Sequence, residues 1–176
     1  FRYLEKEGKL VIDPDCAVGI LEEFNRQHPD FGLHASFYVL PDSAFGQSKY
    51  RAQKLQYLAE KGFEIGNHTW GHYALKRLSN EKVQEELAHP QQALAEVIPD
   101  FRFFSLALPL GIAPKEKALA RKGTWNGITY EHAAVLLVGS VPARSPYDVK
   151  FNPHAIERVQ ATDVPEVKPF QLSAQI

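Results

Sequence analysis

Two histidines, His68 and His72, stand four residues apart in the run Gly66-Asn67-His68-Thr69-Trp70-Gly71-His72. Imidazole is the commonest protein ligand for zinc-type ions. A backbone that turned helically from His68 would put both rings on one face, reaching one ion from one side. A third ligand must then come from elsewhere. Asp13 and Asp15 are the tempting carboxylates, but Asp13-Pro14-Asp15 reads as a helix start. Asp13 suits the N-cap, Pro14 the first helical position, and Asp15 complements the helix dipole. A zincin-type helix does not fit, because no Glu follows the first histidine.

The elements that must carry this pair follow from periodicity. A strand is expected at 9–12, then a helix from residue 13 with Val18, Leu21 and Phe24 inward, ending before His28-Pro29. Residues 35–40 read as a buried strand, and 48–61 as a helix that Gly62 terminates. Phe63, Glu64 and Ile65 form the strand that leads into the histidines. Ser79 caps a helix over 80–97, which His89-Pro90 should kink or interrupt. Further strands are expected at 101–108 and 133–138, with a short helix at 115–122 between them; from Pro142 the chain wraps the domain. Alternating strands and helices imply parallel strands with crossover helices, hence an α/β sheet or barrel. Sites in such folds gather at the carboxyl ends of the strands. The histidine pair follows one strand and Pro109-Leu110-Gly111 follows another.

Composition narrows the classes of function. The 176 residues are 44% hydrophobic and 23% charged, as expected of one domain with a real core. A formal net charge of -1 gives no basic footprint for nucleic acid. No stretch approaches the ~20 apolar residues of a transmembrane segment. The single cysteine, Cys16, excludes an internal disulfide framework.

The run Leu58-Ala59-Glu60-Lys61-Gly62-Phe63-Glu64-Ile65-Gly66-Asn67-His68-Thr69-Trp70-Gly71-His72 resembles the polysaccharide deacetylases with a NodB-type domain, carbohydrate esterase family four. Their second motif is His-(Ser/Thr)-x-x-His, commonly preceded by Glu-Ile-Gly-Asn. Ala35-Ser36-Phe37-Tyr38-Val39 resembles the family's Ala-Thr-Phe-Phe-Val strand, and residues 78–87 resemble its following helix. The resemblance covers roughly residues 15–115 and is nearest to bacterial, envelope-associated members. It implies a distorted (β/α) barrel, here incomplete at its N-terminus as a single domain of a longer protein. It also implies a divalent metal, zinc foremost, with cobalt, nickel or manganese as alternatives. On this sequence the histidine ligands map to His68 and His72, and Thr69 maps to the hydroxyl that braces the motif loop. The implied reaction removes acetyl groups from N-acetylated sugars of a polysaccharide, peptidoglycan or a chitin-like glycan. The implied setting is extracellular or in the cell envelope, and the implied state is a monomer.

The chain departs from the family pattern in three places. The first motif, Thr-Phe-Asp-Asp-Gly, supplies a base and an aspartate ligand, and no Asp-Asp occurs here; it is expected upstream of Phe1. The third motif, Arg-x-Pro-Tyr-Gly, falls on Ala107-Leu108-Pro109-Leu110-Gly111, so Ala107 replaces the base-orienting arginine. The backbone N–H of Leu110 can still serve as an oxyanion donor, since a main-chain group survives a side-chain change. For the general acid only His132 and His154 lie late in the chain, and His154 is the candidate. Phe45, Tyr50 and Trp125 are candidates for a sugar groove, with ordinary packing as the alternative. The rival to an active deacetylase is a catalytically lapsed NodB-like module that binds glycan or serves the envelope structurally. A third reading is a deacetylase of small N-acyl or imide compounds.

Overall fold

The computed structural model describes residues 1–43, 45–139 and 141–159. The chain begins with an antiparallel hairpin, β1 (Tyr3–Lys6) and β2 (Lys9–Ile12). Helix α1 (Ala17–Gln27) then leads to β3 (Ser36–Val39), α2 (Arg51–Glu60) to β4 (Glu64–Asn67), and α3 (Asn80–Ala95) to β5 (Ser105–Ala107). A second hairpin, β6 (Lys122–Trp125) and β7 (Ile128–Glu131), precedes β8 (Ala134–Leu136). Strands β3, β4, β5 and β8 lie side by side in that order, all parallel. They form an arc, a partial wall of the expected (β/α) barrel.

The helices cover one face of this arc. Ile65 of β4 packs with Leu55 and Leu58 of α2, Val18 of α1 and Leu94 of α3. Leu87 and Val83 of α3 pack with Leu106, Val135 and the hairpin residue Tyr130. The other face is polar. Glu64 accepts hydrogen bonds from Ser36 and Ser105, and the Tyr38 hydroxyl lies 2.9 Å from Ser105 Oγ. A Cβ on Gly66 would stand 2.3 Å from the Tyr38 ring, so this neighbour of the histidine motif has no room for a side chain.

Several expectations need correction. Helix α1 starts at Ala17 with Cys16 in the cap position, so Asp13 is not its N-cap. Asp13 instead makes a turn, its Oδ1 accepting the Asp15 N–H at 3.0 Å, and its carboxylate pairs with Arg2. Helix α3 runs unbroken through Pro90. Proline costs a helix roughly 3 kcal/mol, but Leu87, Ala88, Ala93 and Leu94 on both sides of it are buried, and tertiary packing decides. The expected short helix at 115–122 is a 3-10 turn at Lys117–Ala120. Of the tail, residues 141–159 lie within the described chain. There Val135 and Leu137 donate to the carbonyls of Pro153 and Ile156, so the tail extends the sheet beside β8. Residues 160–176 lie outside the described residues.

Candidate metal site

Strand register sets the level of every group at the site. Asn67 pairs with Leu106, so His68 stands level with Ala107, which pairs with Leu136; Leu136 in turn bridges to Ile156. His68 therefore leaves the carboxyl end of β4 beside the carboxyl end of β5. Its Nδ1 lies 2.8 Å from the Ala107 carbonyl oxygen, which can only accept, so Nδ1 carries the proton. The Nε2 lone pair is left for an ion, the arrangement in which a backbone carbonyl orients a histidine ligand. Burial holds the His68 imidazole below its ordinary 6.5; His72 and Arg158 push it further down, and the Ala107 bond opposes them. The neutral ring is the ligand form.

His72 meets His68 with ring centroids 4.8 Å apart at 73°. The chain does not reach this by a helical turn, as the spacing suggested. Residues 68–74 are a loop, and both Thr69 (φ 69) and His72 (φ 56) occupy the left-handed region. For a β-branched residue that is a genuine outlier, costing ~1–2 kcal/mol. Hydrogen bonds hold the loop there. The Thr69 N–H donates to Asn67 Oδ1 at 2.9 Å, and the His72 N–H donates to Thr69 Oγ1 at 3.0 Å. The Gly71 N–H donates to the carboxylate of Glu86 on α3 at 2.7 Å. Trp70 stacks on His89 of α3 at 3.8 Å. The Thr69 hydroxyl thus takes up the His72 N–H within the loop.

The remaining candidates are dispersed. Leu110 sits in the tight turn after β5 with φ 56 and is 61% exposed, its main chain at the same pole as the histidines. His154 lies two register positions from Ile156 toward the amino ends of the strands. It lines a cavity of about 440 Å³ with Leu108, Arg121, Leu137 and Asn152. Burial and the Arg121 charge lower its proton affinity. His132, the other late histidine, is 1% exposed and enclosed by protein. Asp13 and Asp15 do not join the pair: among the described residues no three His, Cys, Asp or Glu side chains are grouped to hold one ion. Phe45 packs on Phe1 and Phe37, and the Tyr50 hydroxyl bonds Glu5; Trp125 alone approaches the motif, 6.0 Å from His89. The donor chemistry of His68 and His72 thus fits two positions of a metal site.

A family model described as polysaccharide deacetylase matches residues 29–124, more than half of the chain. The chain belongs to the polysaccharide deacetylase family. Among solved structures, the deacetylase PplD of Streptococcus pyogenes, in complex with acetate, is similar with a TM-score of 0.59 and 14% identity over 88% of this chain and 65% of that one. The peptidoglycan deacetylase PdaC of Bacillus subtilis gives 0.48 and 23%, over 61% and 49%. A CE4 family pseudoenzyme of Bacillus anthracis gives 0.45 and 15%, over 60% and 35%. The chain spans between about a third and two thirds of these structures. No curated protein matches it. The likeness to the Streptococcus structure agrees with a distorted barrel of which the polysaccharide deacetylase chain builds part of the wall.

Sequence reasoning missed the residues behind the motif. Asn67 was read as part of a signature, yet it is fully buried and makes the bond that shapes the loop. Glu86 looked like any helix acid, and its place three residues after Val83 and next to Leu87, on the inward face of α3, was the available signal. Arg158 enters the site through the register of the tail, which no local pattern announces; no carboxylate of the described residues pairs with it, and its Nε donates to the Leu137 carbonyl at 2.5 Å.

Proposed function

We propose that this chain carries the two-histidine part of a divalent-metal site in a carbohydrate N-deacetylase. The substrate would be an N-acetylglucosamine-containing polymer such as peptidoglycan or a chitin-like glycan, in the cell envelope or outside the cell. The observation that carries this reading is the His68 tautomer: Ala107 holds the proton on Nδ1 and leaves Nε2 unprotonated, in a ring whose centroid lies 4.8 Å from that of His72. His68 and His72 would hold the ion, zinc foremost, with the third ligand and the catalytic base supplied from outside the described residues. When bound, such an ion polarises the acetyl carbonyl as a Lewis acid. Leu110 would offer its backbone N–H to the developing oxyanion. His154 would deliver the proton to the leaving amine; of the two late histidines, it is the one that opens on a cavity. The test is acetate release from N-acetylglucosamine oligomers and from peptidoglycan, abolished by chelator, restored by zinc or cobalt, and lost in His68→Ala.

A second reading is a catalytically lapsed module that binds glycan. Ala107 at the arginine position favours it, as does the lack, among the described residues, of a third grouped ligand. Glycan binding without acetate release, unchanged in His68→Ala, would select it.

A further inference from the structure

A buried chain of hydrogen bonds ends on the histidine loop and begins at His132. The His132 Nδ1–H donates to the Ala120 carbonyl at 2.9 Å, which leaves Nε2 as an acceptor. That Nε2 lies 3.2 Å from Asn67 Nδ2. The second Nδ2 hydrogen goes to the Leu87 carbonyl on α3 at 3.0 Å. Two acceptors on one side of the amide allow a single orientation, with Oδ1 turned to the Thr69 N–H. Flipping the amide would set an oxygen against both acceptors and a donor against Thr69. Asn67 and Thr69 are fully buried and His132 nearly so, so water cannot substitute for a lost partner.

We infer that His132 is a positioning residue: through the amide of Asn67 it fixes the left-handed turn at Thr69 that sets His72 beside His68. The inference rests on the metal reading above for its functional meaning and on geometry alone for the positioning. It gives His132 a role distinct from the proton donor that its late place in the sequence suggested. The tautomer is part of the device, since a ring with hydrogen on Nε2 would face the Asn67 NH₂ donor to donor.

Two variants separate positioning from simple support. H132Q keeps an acceptor where Nε2 stood and loses the bond to Ala120. H132N keeps the donor to Ala120 and loses the acceptor for Asn67. Each gives up one of the two buried hydrogen bonds of His132. In the metal-free protein, native-state hydrogen exchange at the Thr69 amide should be about tenfold faster in H132N than in H132Q. Zinc affinity should fall roughly tenfold in H132N, the low end of the effect of removing a direct outer partner, because His132 reaches His72 only through Asn67 and Thr69, and stay within about threefold in H132Q. Equal exchange and equal zinc affinity in the two variants would overturn the inference. If H132N does not fold, H132Q decides alone: Thr69 must stay protected although the Ala120 bond is gone, and loss of protection overturns the role. Absence of zinc binding by the unsubstituted protein would overturn the metal reading instead, and the exchange comparison would still decide the positioning.

Discussion

At His68, one ring nitrogen is committed to Ala107 and the other carries a lone pair, so on the proposed metal reading removing the ring of His68 or of His72 removes a ligand and not merely a contact. His68→Ala and His72→Ala should each weaken zinc binding by at least about a hundredfold, beyond the range for outer-shell changes. Titration with zinc in the presence of a competing chelator checks this. His154 makes a different prediction. A proton donor that touches no ion should, when changed to Ala, lower kcat by roughly 10²–10⁴ and leave zinc affinity unchanged. An unchanged kcat would remove His154 from the chemistry.

Helix α3 is the element that makes the site possible. It supplies the Leu87 carbonyl to Asn67, the Glu86 carboxylate to Gly71 and the His89 ring to Trp70. Its own stability rests on Leu87, fully buried in the core between sheet and hairpin, and on Ser79, whose side chain accepts the Lys82 N–H at 3.2 Å. Leu87→Ala should cost roughly 2–5 kcal/mol. Ser79→Ala should cost about 1 kcal/mol. Denaturant unfolding measures both. The N-cap Ser79 of α3 and Gly62 just past the end of α2 were legible in the sequence because local pattern and tertiary role agree there. The histidine pair was legible for the same reason, but its loop was not. Helical spacing predicted a turn, and buried side-chain bonds from Asn67 and Thr69 impose another backbone instead. Asp13 was misread because its partner, Arg2, lies across a hairpin. That hairpin and the one at Asn126-Gly127 were both missed. The second carried a readable signal, an Asn-Gly pair with φ 46 and 78, the favoured two-residue turn between strands.

Across the whole molecule, the buried hydrogen-bond chain couples stability to pH. Burial pushes the His132 imidazole down from 6.5 to about 4. The unfolded chain therefore binds a proton near 6.5 that the folded chain refuses until about 4. Stability is full above pH 6.5 and falls as pH drops from 6.5 toward 4, by ~3 kcal/mol if this group acts alone. Urea unfolding at stepped pH should show that slope, and H132Q should flatten it. A slope unchanged in H132Q would assign the acid sensitivity elsewhere. The parallel arc carries the two-ring cluster at the carboxyl pole of the sheet, where we propose that the metal binds, and no described helix is long and apolar enough to cross a membrane. The most direct test of that placement is anomalous X-ray scattering from crystals of the protein soaked in zinc. The account predicts a zinc peak about 2.0–2.1 Å from His68 Nε2 and from a ring nitrogen of His72. A zinc peak that contacts neither ring, or a fully occupied peak at another group of side chains, would contradict it.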